Sequence, residues 1–158
     1  MEEVHENLFV GADDSCVKGG NGDWAVVHAC KHPCHQRAVG GQVSQSHPNY
    51  LVLEDGDDLY LNIVDMNQKQ KHEFMEPMVS ATLEFVDEFR EGKQVLIHCN
   101  QGQSRSPALA MLYLAKRTDE LPDDSYPVAA NEFRNLYPRF SPGQGIHLYL
   151  QDHWNHLD

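Results

Sequence analysis

The sequence has few basic residues, few cysteines and no long apolar run. Its 12 Lys and Arg stand against 24 Asp and Glu, giving a formal net charge of −12. Nucleic acids and anionic membranes both attract basic surfaces, so this balance argues against either as the main partner. No segment approaches the roughly 18 apolar residues of a membrane span. The acidic first residues also lack the apolar region of a signal peptide. We therefore expect a cytoplasmic protein.

The chain has only four cysteines: Cys16, Cys30, Cys34 and Cys99. A disulfide scaffold of this length would need a denser set, so reduced thiols are expected. The length predicts a single domain over residues 1–158.

The hydrophobic pattern predicts strands before helices. β-rich runs indicate strands over 4–10, 24–29, 50–53, 59–64 and 94–98. Helical spacing indicates helices over 74–90, 108–117, 126–137 and 146–154, with Pro77 in a first turn and Val128 facing inward. Residues 12–23 and 32–48 are predicted as loops, the second long enough to carry function. We expect an α/β fold with a central, mostly parallel mixed sheet of four to five strands and helices on both faces.

The most informative stretch lies between the last predicted strand and the helix that follows it. An apolar run ends at Cys99, and a polar loop leads through Gly102 to Arg105. Such a loop is an anion site because its backbone N–H groups point inward and the helix dipole favours negative charge. It should therefore bind a phosphate group. The predicted phosphate-binding residues are Asn100, Gln101, Gly102, Gln103, Ser104 and Arg105.

A cysteine at this position suits phosphoester transfer. The thiolate is the nucleophilic form, and helix N-termini and nearby cations favour it. Arg105 can bind two phosphoryl oxygens at once. Ser106 can donate a hydrogen bond to the sulfur and ease its departure, while His98 is expected to order the loop rather than act as a base.

The leaving oxygen needs a proton, which a carboxylic acid on another loop can supply. Asp65 follows a predicted strand and is our first candidate. Asp55, Asp57 and Asp58 are rivals, although they lie in an acidic turn typical of solvated surface.

Residues 95–106 resemble the H-C-x5-R-S signature of the cysteine-based protein tyrosine phosphatases. Residues 59–65 resemble the general-acid loop of the compact dual-specificity branch, and residues 140–146 resemble its segment before the last helix. One departure is Gly143, which stands where asparagine is common. The resemblance runs from about residue 59 to 154 and is weaker for 4–11 and 24–29. Residues 32–48 have no counterpart that we can place.

The resemblance implies catalytic roles for four residues. Cys99 would be the nucleophile, Arg105 the phosphate ligand, Ser106 the thiolate stabiliser and Asp65 the general acid. It also implies phosphomonoester hydrolysis through a phosphocysteine intermediate, with phosphotyrosine and phosphoserine/threonine proteins as substrates. The sequence does not define the oligomeric state, and a monomer is assumed. Some relatives protect the nucleophile in a reversible disulfide, which makes Cys30 a possible redox partner.

Several other interpretations stay open. The substrate could be a phosphoinositide, an RNA 5′ phosphate or a small metabolite, although no lysine stands between Cys99 and Arg105 to favour polyanions. The chain could be a non-catalytic phosphate-binding module, or a rhodanese-type sulfurtransferase, which would leave Ser106 and Asp65 unexplained. A cluster of ligating residues spans the start of the long loop, but its C-x3-C spacing is atypical of zinc, so no metal or cofactor is predicted. The cluster comprises His28, Cys30, His32, Cys34 and His35.

Overall fold

A computed structural model describes residues 1–14 and 22–158; Cys16 and most of the predicted loop 12–23 lie outside the described residues. The described residues form a central six-stranded mixed sheet. Its strands are β1 (Glu2–His5), β2 (Leu8–Gly11), β3 (Trp24–His28), β4 (Val52–Asp55), β5 (Asp58–Leu61) and β6 (Gln94–His98). Their order across the sheet is β1-β2-β6-β3-β5-β4. The four inner strands are parallel, and each edge strand is antiparallel to its neighbour.

The predicted fold class is confirmed, but the sheet has one strand more than expected. The segment predicted as a single strand over 4–10 is a hairpin of β1 and β2. Its turn passes through Asn7, which has a φ of 63°. Asparagine tolerates this left-handed conformation better than most residues, so a tight turn forms without glycine. The sign of this break in the sequence is the polar run His5-Glu6-Asn7, which is short enough to be read as part of a strand.

Most of the hydrophobic core lies between one face of the sheet and the four longer helices. A 3-10 turn, Trp154–His156, follows the last helix. The helices are α1 (Gln36–Val39), α2 (His72–Phe89), α3 (Arg105–Lys116), α4 (Tyr126–Leu136) and α5 (Gln144–His153). Helix α3 is buried along nearly its whole length, as its continuous apolar sequence predicts. None of the described helices is both long and apolar enough to cross a membrane.

Two details of the helices differ from the prediction. Helix α2 begins at His72, so Pro77 lies inside it rather than in its first turn. The added residues are polar, and apolar spacing does not reveal them. Val128 is 45% exposed because the buried residues of α4 follow the i, i+3, i+4, i+7 spacing from Tyr126, and Val128 at i+2 lies off that face. The inner face consists of Tyr126, Ala129, Ala130 and Phe133.

The opposite face of the sheet carries a smaller apolar cluster of Trp24, Val26 and Leu96. Side chains alternate along strands, so His28 and His98 lie on this same face. A kinked helical turn, Lys31–His35, brings Cys34 close to both histidines and continues into α1. The predicted loop 32–48 therefore begins with helical structure, which its mixed composition did not indicate.

Candidate active site

The loop between β6 and α3 turns its carbonyl groups outward. Four successive carbonyl oxygens accept hydrogen bonds from other segments. The pairs are Asp13 N to Asn100 O (3.4 Å), Arg139 Nη2 to Gln101 O (2.9 Å), the Tyr137 hydroxyl to Gly102 O (2.5 Å) and Ser141 N to Gln103 O (2.8 Å). In a trans peptide the N–H points opposite to the carbonyl. The intervening N–H groups therefore point toward the centre of the loop, as an anion site requires.

These outer donors were missed at the sequence level. Tyr137, Arg139 and Ser141 come from the segment between α4 and α5. Burial raises the pKa of Tyr137, which keeps its hydroxyl protonated and able to donate. The sequence does not mark these residues as supports of the loop, since Ser141 donates a backbone N–H and no spacing ties the Tyr137 and Arg139 side chains to the loop.

Cys99 lies at the base of this loop and is 2% exposed. Its sulfur is 3.2 Å from the N–H of Gly102 and 3.1 Å from the hydroxyl of Ser106. The same hydroxyl is 3.1 Å from the carbonyl oxygen of Gly11. Ser106 has one proton for two acceptors, so it can donate to Gly11 when the sulfur is a thiol and to the sulfur when it is a thiolate. This arrangement can stabilise a negative charge on Cys99.

Gly102 has a φ of 71°, a conformation that costs other L-residues about 1–2 kcal/mol. A Cβ here would also lie 3.2 Å from the Gly11 carbonyl oxygen and 3.3 Å from the Tyr137 hydroxyl. Both constraints act on the turn that places the Gly102 N–H beside the sulfur. The sequence prediction of a glycine-dependent turn agrees with this geometry.

Arg105 begins α3 and is held by two contacts from its guanidinium group. Nη1 donates to the Ile63 carbonyl at 3.2 Å, and Nη2 donates to Asn100 Oδ1 at 2.5 Å. Its Nε is buried and has no partner among the described residues. These contacts use two of the five guanidinium N–H groups, so the side chain is oriented while other N–H groups remain available to an anion. Asn100, predicted as a backbone ligand, also positions this arginine.

Neither of the two serines beside Arg105 caps α3 with its side chain. Ser104 occupies the capping position, but its hydroxyl accepts from the N–H of Gly143 at 2.8 Å. Ser106 is bonded to Cys99 and Gly11. Leaving the first N–H groups of α3 without a side-chain cap keeps them available to an anion.

A cavity of about 320 Å³ lies over the sulfur. Most predicted site residues line it, whereas Gly102 and Ser106 are buried behind it. Asp65 lines the cavity; Asp55, Asp57 and Asp58 do not. The lining consists of Asp65, Cys99, Asn100, Gln101, Gln103, Ser104, Arg105, Ser141 and Gly143.

The rival carboxylates have other partners. Asp57 binds the Lys93 ammonium group at 2.8 Å, which lowers the pKa of Asp57. Asp58 binds the ring of His28 at 2.8 Å. Asp55 is exposed at the hairpin between β4 and β5. Of the four candidates, only Asp65 is placed where a proton donor would be needed.

The segment carrying Asp65 is held against the first turn of α5. Strand β5 ends at Leu61, so Asp65 lies in a loop rather than directly at the end of a strand. The N–H of Gly145 donates to the Met66 carbonyl at 2.9 Å. A Cβ on Gly143 would lie 2.1 Å from Asp65 Oδ1. Gly143, which stands where the family commonly has asparagine, therefore leaves free the space that the Asp65 carboxylate occupies.

We expect Gly143→Ala to fold normally but to impair any role of Asp65. The new methyl group meets a side-chain end that can rotate, so the carboxylate moves rather than the backbone. Hydrolysis of a phosphate ester with a poor leaving group should fall about tenfold to 10²-fold, toward the level of Asp65→Asn. Steady-state kinetics on both variants and on the double variant measure this.

The effects should not add, because one residue acts through the other. Gly92→Ala is the matched control, since a Cβ at Gly92 meets nothing within 4 Å. If Gly143→Ala lowers the rate by the same factor with and without Asp65, the coupling between the two residues is wrong.

His98 is fully buried behind the loop. Its Nε2 lies 2.7 Å from Nδ1 of His28, whose Nε2 in turn lies 2.8 Å from Asp58. Burial and the neighbouring His28 lower the pKa of His98 to about 4, so the ring is neutral near pH 7. A neutral, hydrogen-bonded ring agrees with the predicted supporting role. His28 was not predicted in it, although the parallel register places His28 opposite His98.

Cys30 is fully buried just beyond the end of β3, the neighbour of β6. Its side chain is hydrogen-bonded to Cys34, which lowers the pKa of Cys30 against the opposing effect of burial. The structure thus associates Cys30 with Cys34. A disulfide between Cys30 and Cys99 stays a prediction.

Comparison with known protein families gives independent evidence on the family of this chain. A sequence model described as the catalytic domain of dual specificity phosphatases matches residues 35–146. The match extends earlier than the resemblance seen in the sequence, and it includes most of the loop 32–48 that had no assigned counterpart. Tyrosine-protein phosphatase vhp-1 of Caenorhabditis elegans is 30% identical over 91 residues. Those residues are 57% of this chain and only 13% of that protein.

Solved structures of low sequence identity share the fold. The crystal structure of DUSP15 matches with a TM-score of 0.65 at 15% identity, covering 98% of this chain and 86% of that one. A leucine rich repeat and phosphatase domain containing protein from Entamoeba histolytica gives 0.64 at 16%, covering 98% and 90%. The human tyrosine phosphatase-like serine/threonine/tyrosine-interacting protein gives 0.64 at 20%, covering 99% and 96%.

Proposed function

The chain belongs to the dual-specificity phosphatase family, and from this we propose that it hydrolyses phosphomonoesters through a phosphocysteine intermediate. One observation carries the proposal. The sulfur of Cys99 accepts from Gly102 and can accept from Ser106 at the base of a cavity that Arg105 and Asp65 also line. Nucleophile, anion ligand and proton donor thus surround one space.

In the first step the thiolate of Cys99 attacks phosphorus. The S–P bond forms as the P–O bond to the leaving group breaks, and the carboxylic acid of Asp65 protonates the departing oxygen. The loop N–H groups and Arg105 bind the equatorial oxygens of the transferring group, where charge must be stabilised. The products are the alcohol or phenol and phosphocysteine.

In the second step water attacks phosphorus and the S–P bond breaks. The Asp65 carboxylate, now ionised, accepts the proton of the water. Ser106 donates its hydrogen bond to the leaving sulfur instead of to the Gly11 carbonyl, which stabilises the thiolate as it forms. Inorganic phosphate leaves, and the thiolate and protonated Asp65 are restored for the next cycle.

We expect Asp65→Asn to slow hydrolysis of an alkyl or unactivated aryl phosphate by about 10²-fold. The amide keeps the shape of the side chain but has no acidic proton. A substrate whose leaving group is already a weak base needs less protonation and should be affected less. Kinetics on a series of aryl phosphates of graded leaving-group acidity test this.

Asp57→Asn is the matched control, because Asp57 is paired with Lys93 outside the cavity. An unchanged dependence on the leaving group in Asp65→Asn would assign the proton donor elsewhere. If the wild-type chain does not hydrolyse any aryl phosphate, the proposed phosphatase activity is wrong.

We infer phosphorylated proteins as the substrate class. Arg105 is the only cationic side chain among the described residues that line the cavity, and the side chains of Asn100, Gln101 and Gln103 are neutral. A highly charged polyphosphate would gain little here beyond its first phosphate. Activity on phosphotyrosine and phosphoserine/threonine peptides should exceed that on phosphoinositides and 5′-phosphorylated RNA. The reverse ranking would favour the non-protein alternative.

A further inference from the structure

Three metal-ligating side chains meet behind the catalytic loop. They are His28 at the end of β3, His98 at the end of β6, and Cys34 in the turn Lys31–His35. One ligand atom from each lies within 4.8 Å of the others. Two imidazole nitrogens and one sulfur form a donor set that favours zinc-like ions over magnesium or calcium.

The backbone brings these residues together from distant parts of the chain. Parallel pairing of β3 and β6 places His28 directly beside His98 on one face of the sheet. The kinked turn then folds back over the strand ends. Its start is held by the Lys31 N–H on the Ile63 carbonyl at 3.3 Å, and its end by the His35 N–H on the Cys30 carbonyl at 3.1 Å. Cys34 is carried toward the two rings by this closed turn.

Asp58 orients the first of these ligands. Its carboxylate lies 2.8 Å from Nε2 of His28. Metal-binding histidines commonly donate their second ring N–H to a carboxylate, which directs the other nitrogen at the ion. Here the other nitrogen is Nδ1, and it faces Nε2 of His98 at 2.7 Å. The ring of His28 is also stacked on Tyr60, with centroids 4.5 Å apart, so its plane is fixed.

We propose that His28, His98 and Cys34 bind one divalent cation of the zinc type, with water in the fourth position. Two nitrogens at about 2.0–2.1 Å from a tetrahedral ion lie about 3.3 Å apart. The rings must therefore separate by about 0.6 Å to admit it. The ion would join β3, β6 and the turn Lys31–His35 directly behind the loop that starts at Cys99.

The proton balance of binding is defined by the hydrogen bonds. His28 donates Nε2–H to Asp58, so the proton between the rings belongs to Nε2 of His98. Binding transfers that proton to Nδ1 of His98, which is buried and has no partner among the described residues. The Cys34 thiol proton is released to solvent. No oxidation state changes.

Cobalt(II) is the probe, because thiolate ligation gives it a charge-transfer absorption band. The wild-type chain should bind one Co²⁺ with this band, and Zn²⁺ should displace it. Cys34→Ser should lose the band, and His28→Asn should weaken binding at least tenfold. Asp58→Asn should weaken binding about tenfold, as loss of an orienting carboxylate does elsewhere. Cys99→Ser, Cys30→Ser and Cys16→Ser are matched controls that should keep the band.

Thermal unfolding keeps the test valid if a variant is less stable. An ion that binds only the folded chain raises its melting temperature. Zn²⁺ should raise it for the wild type and Cys99→Ser but not for Cys34→Ser. The proposal fails if wild type gives no thiolate band at saturating Co²⁺, or if Cys34→Ser keeps the band or the stabilisation. Loss of the band in Cys99→Ser would place the ion at the catalytic cysteine and would equally overturn it.

Discussion

Replacing Cys99 by serine is expected to lower the hydrolysis of aryl phosphates by at least about 10³-fold. The replacement is nearly isosteric and should keep the contacts to Gly102 and Ser106. A serine hydroxyl, however, remains protonated near neutral pH, and the described part of the chain places no base beside Cys99 to activate it. His98, the adjacent imidazole, is directed at His28 instead. The nucleophile is therefore lost while the binding site stays.

Two measurements separate this outcome from simple damage to the fold. Inorganic phosphate should bind Cys99→Ser with nearly wild-type affinity, and acid quenching of the wild type during turnover should trap a phosphoenzyme that the variant never forms. Cys34→Ser, assayed with chelator present, controls for loss of a thiol outside the loop. Full activity in Cys99→Ser would exclude phosphocysteine as the intermediate.

The phosphate-binding loop was predictable because its parts are contiguous in sequence. The strand ends at His98, and Cys99, Gly102 and Arg105 follow within seven residues. This spacing alone predicts the local geometry of the loop. The donors that turn its carbonyls outward could not be predicted in the same way. The Tyr137 hydroxyl and the Ser141 N–H reach the loop only through the packing of α4 and α5 on the sheet.

The environment of Asp65 shows a similar limit. The sequence predicted a site role for Asp65 because this residue follows a predicted strand, although that strand ends earlier than predicted, at Leu61. The role of Gly143 could not be predicted, because the replacement of an asparagine by glycine does not indicate which side chain fills the space. In the structure, the Asp65 carboxylate lies where a Cβ on residue 143 would be. The grouping of His28, His98 and Cys34 was not visible in the sequence for the same reason, since His98 meets Cys34 only through strand pairing and the turn Lys31–His35.

Replacing Arg105 by lysine is expected to lower kcat by about 10³-fold although the positive charge is kept. The guanidinium group makes two directed contacts, to the Ile63 carbonyl and to Asn100 Oδ1. These hold its plane, and the guanidinium N–H groups that they do not use can bind phosphoryl oxygens. The lysine ammonium group has neither the planar fork nor the reach to satisfy both contacts and an oxygen at once. Charge alone would then attract the substrate without binding the transition state in a fixed orientation.

The kinetic signature distinguishes orientation from attraction. Because the substrate and the transition state share the net charge, KM should rise only a few fold while kcat carries most of the loss. Arg139→Lys is the matched control, because Arg139 donates to the same loop at the Gln101 carbonyl but lies outside the cavity. It should stay within about threefold of the wild type, as expected for an exposed hydrogen bond. If Arg105→Lys and Arg139→Lys lose activity equally, Arg105 serves the loop's structure and not the transferring phosphoryl group.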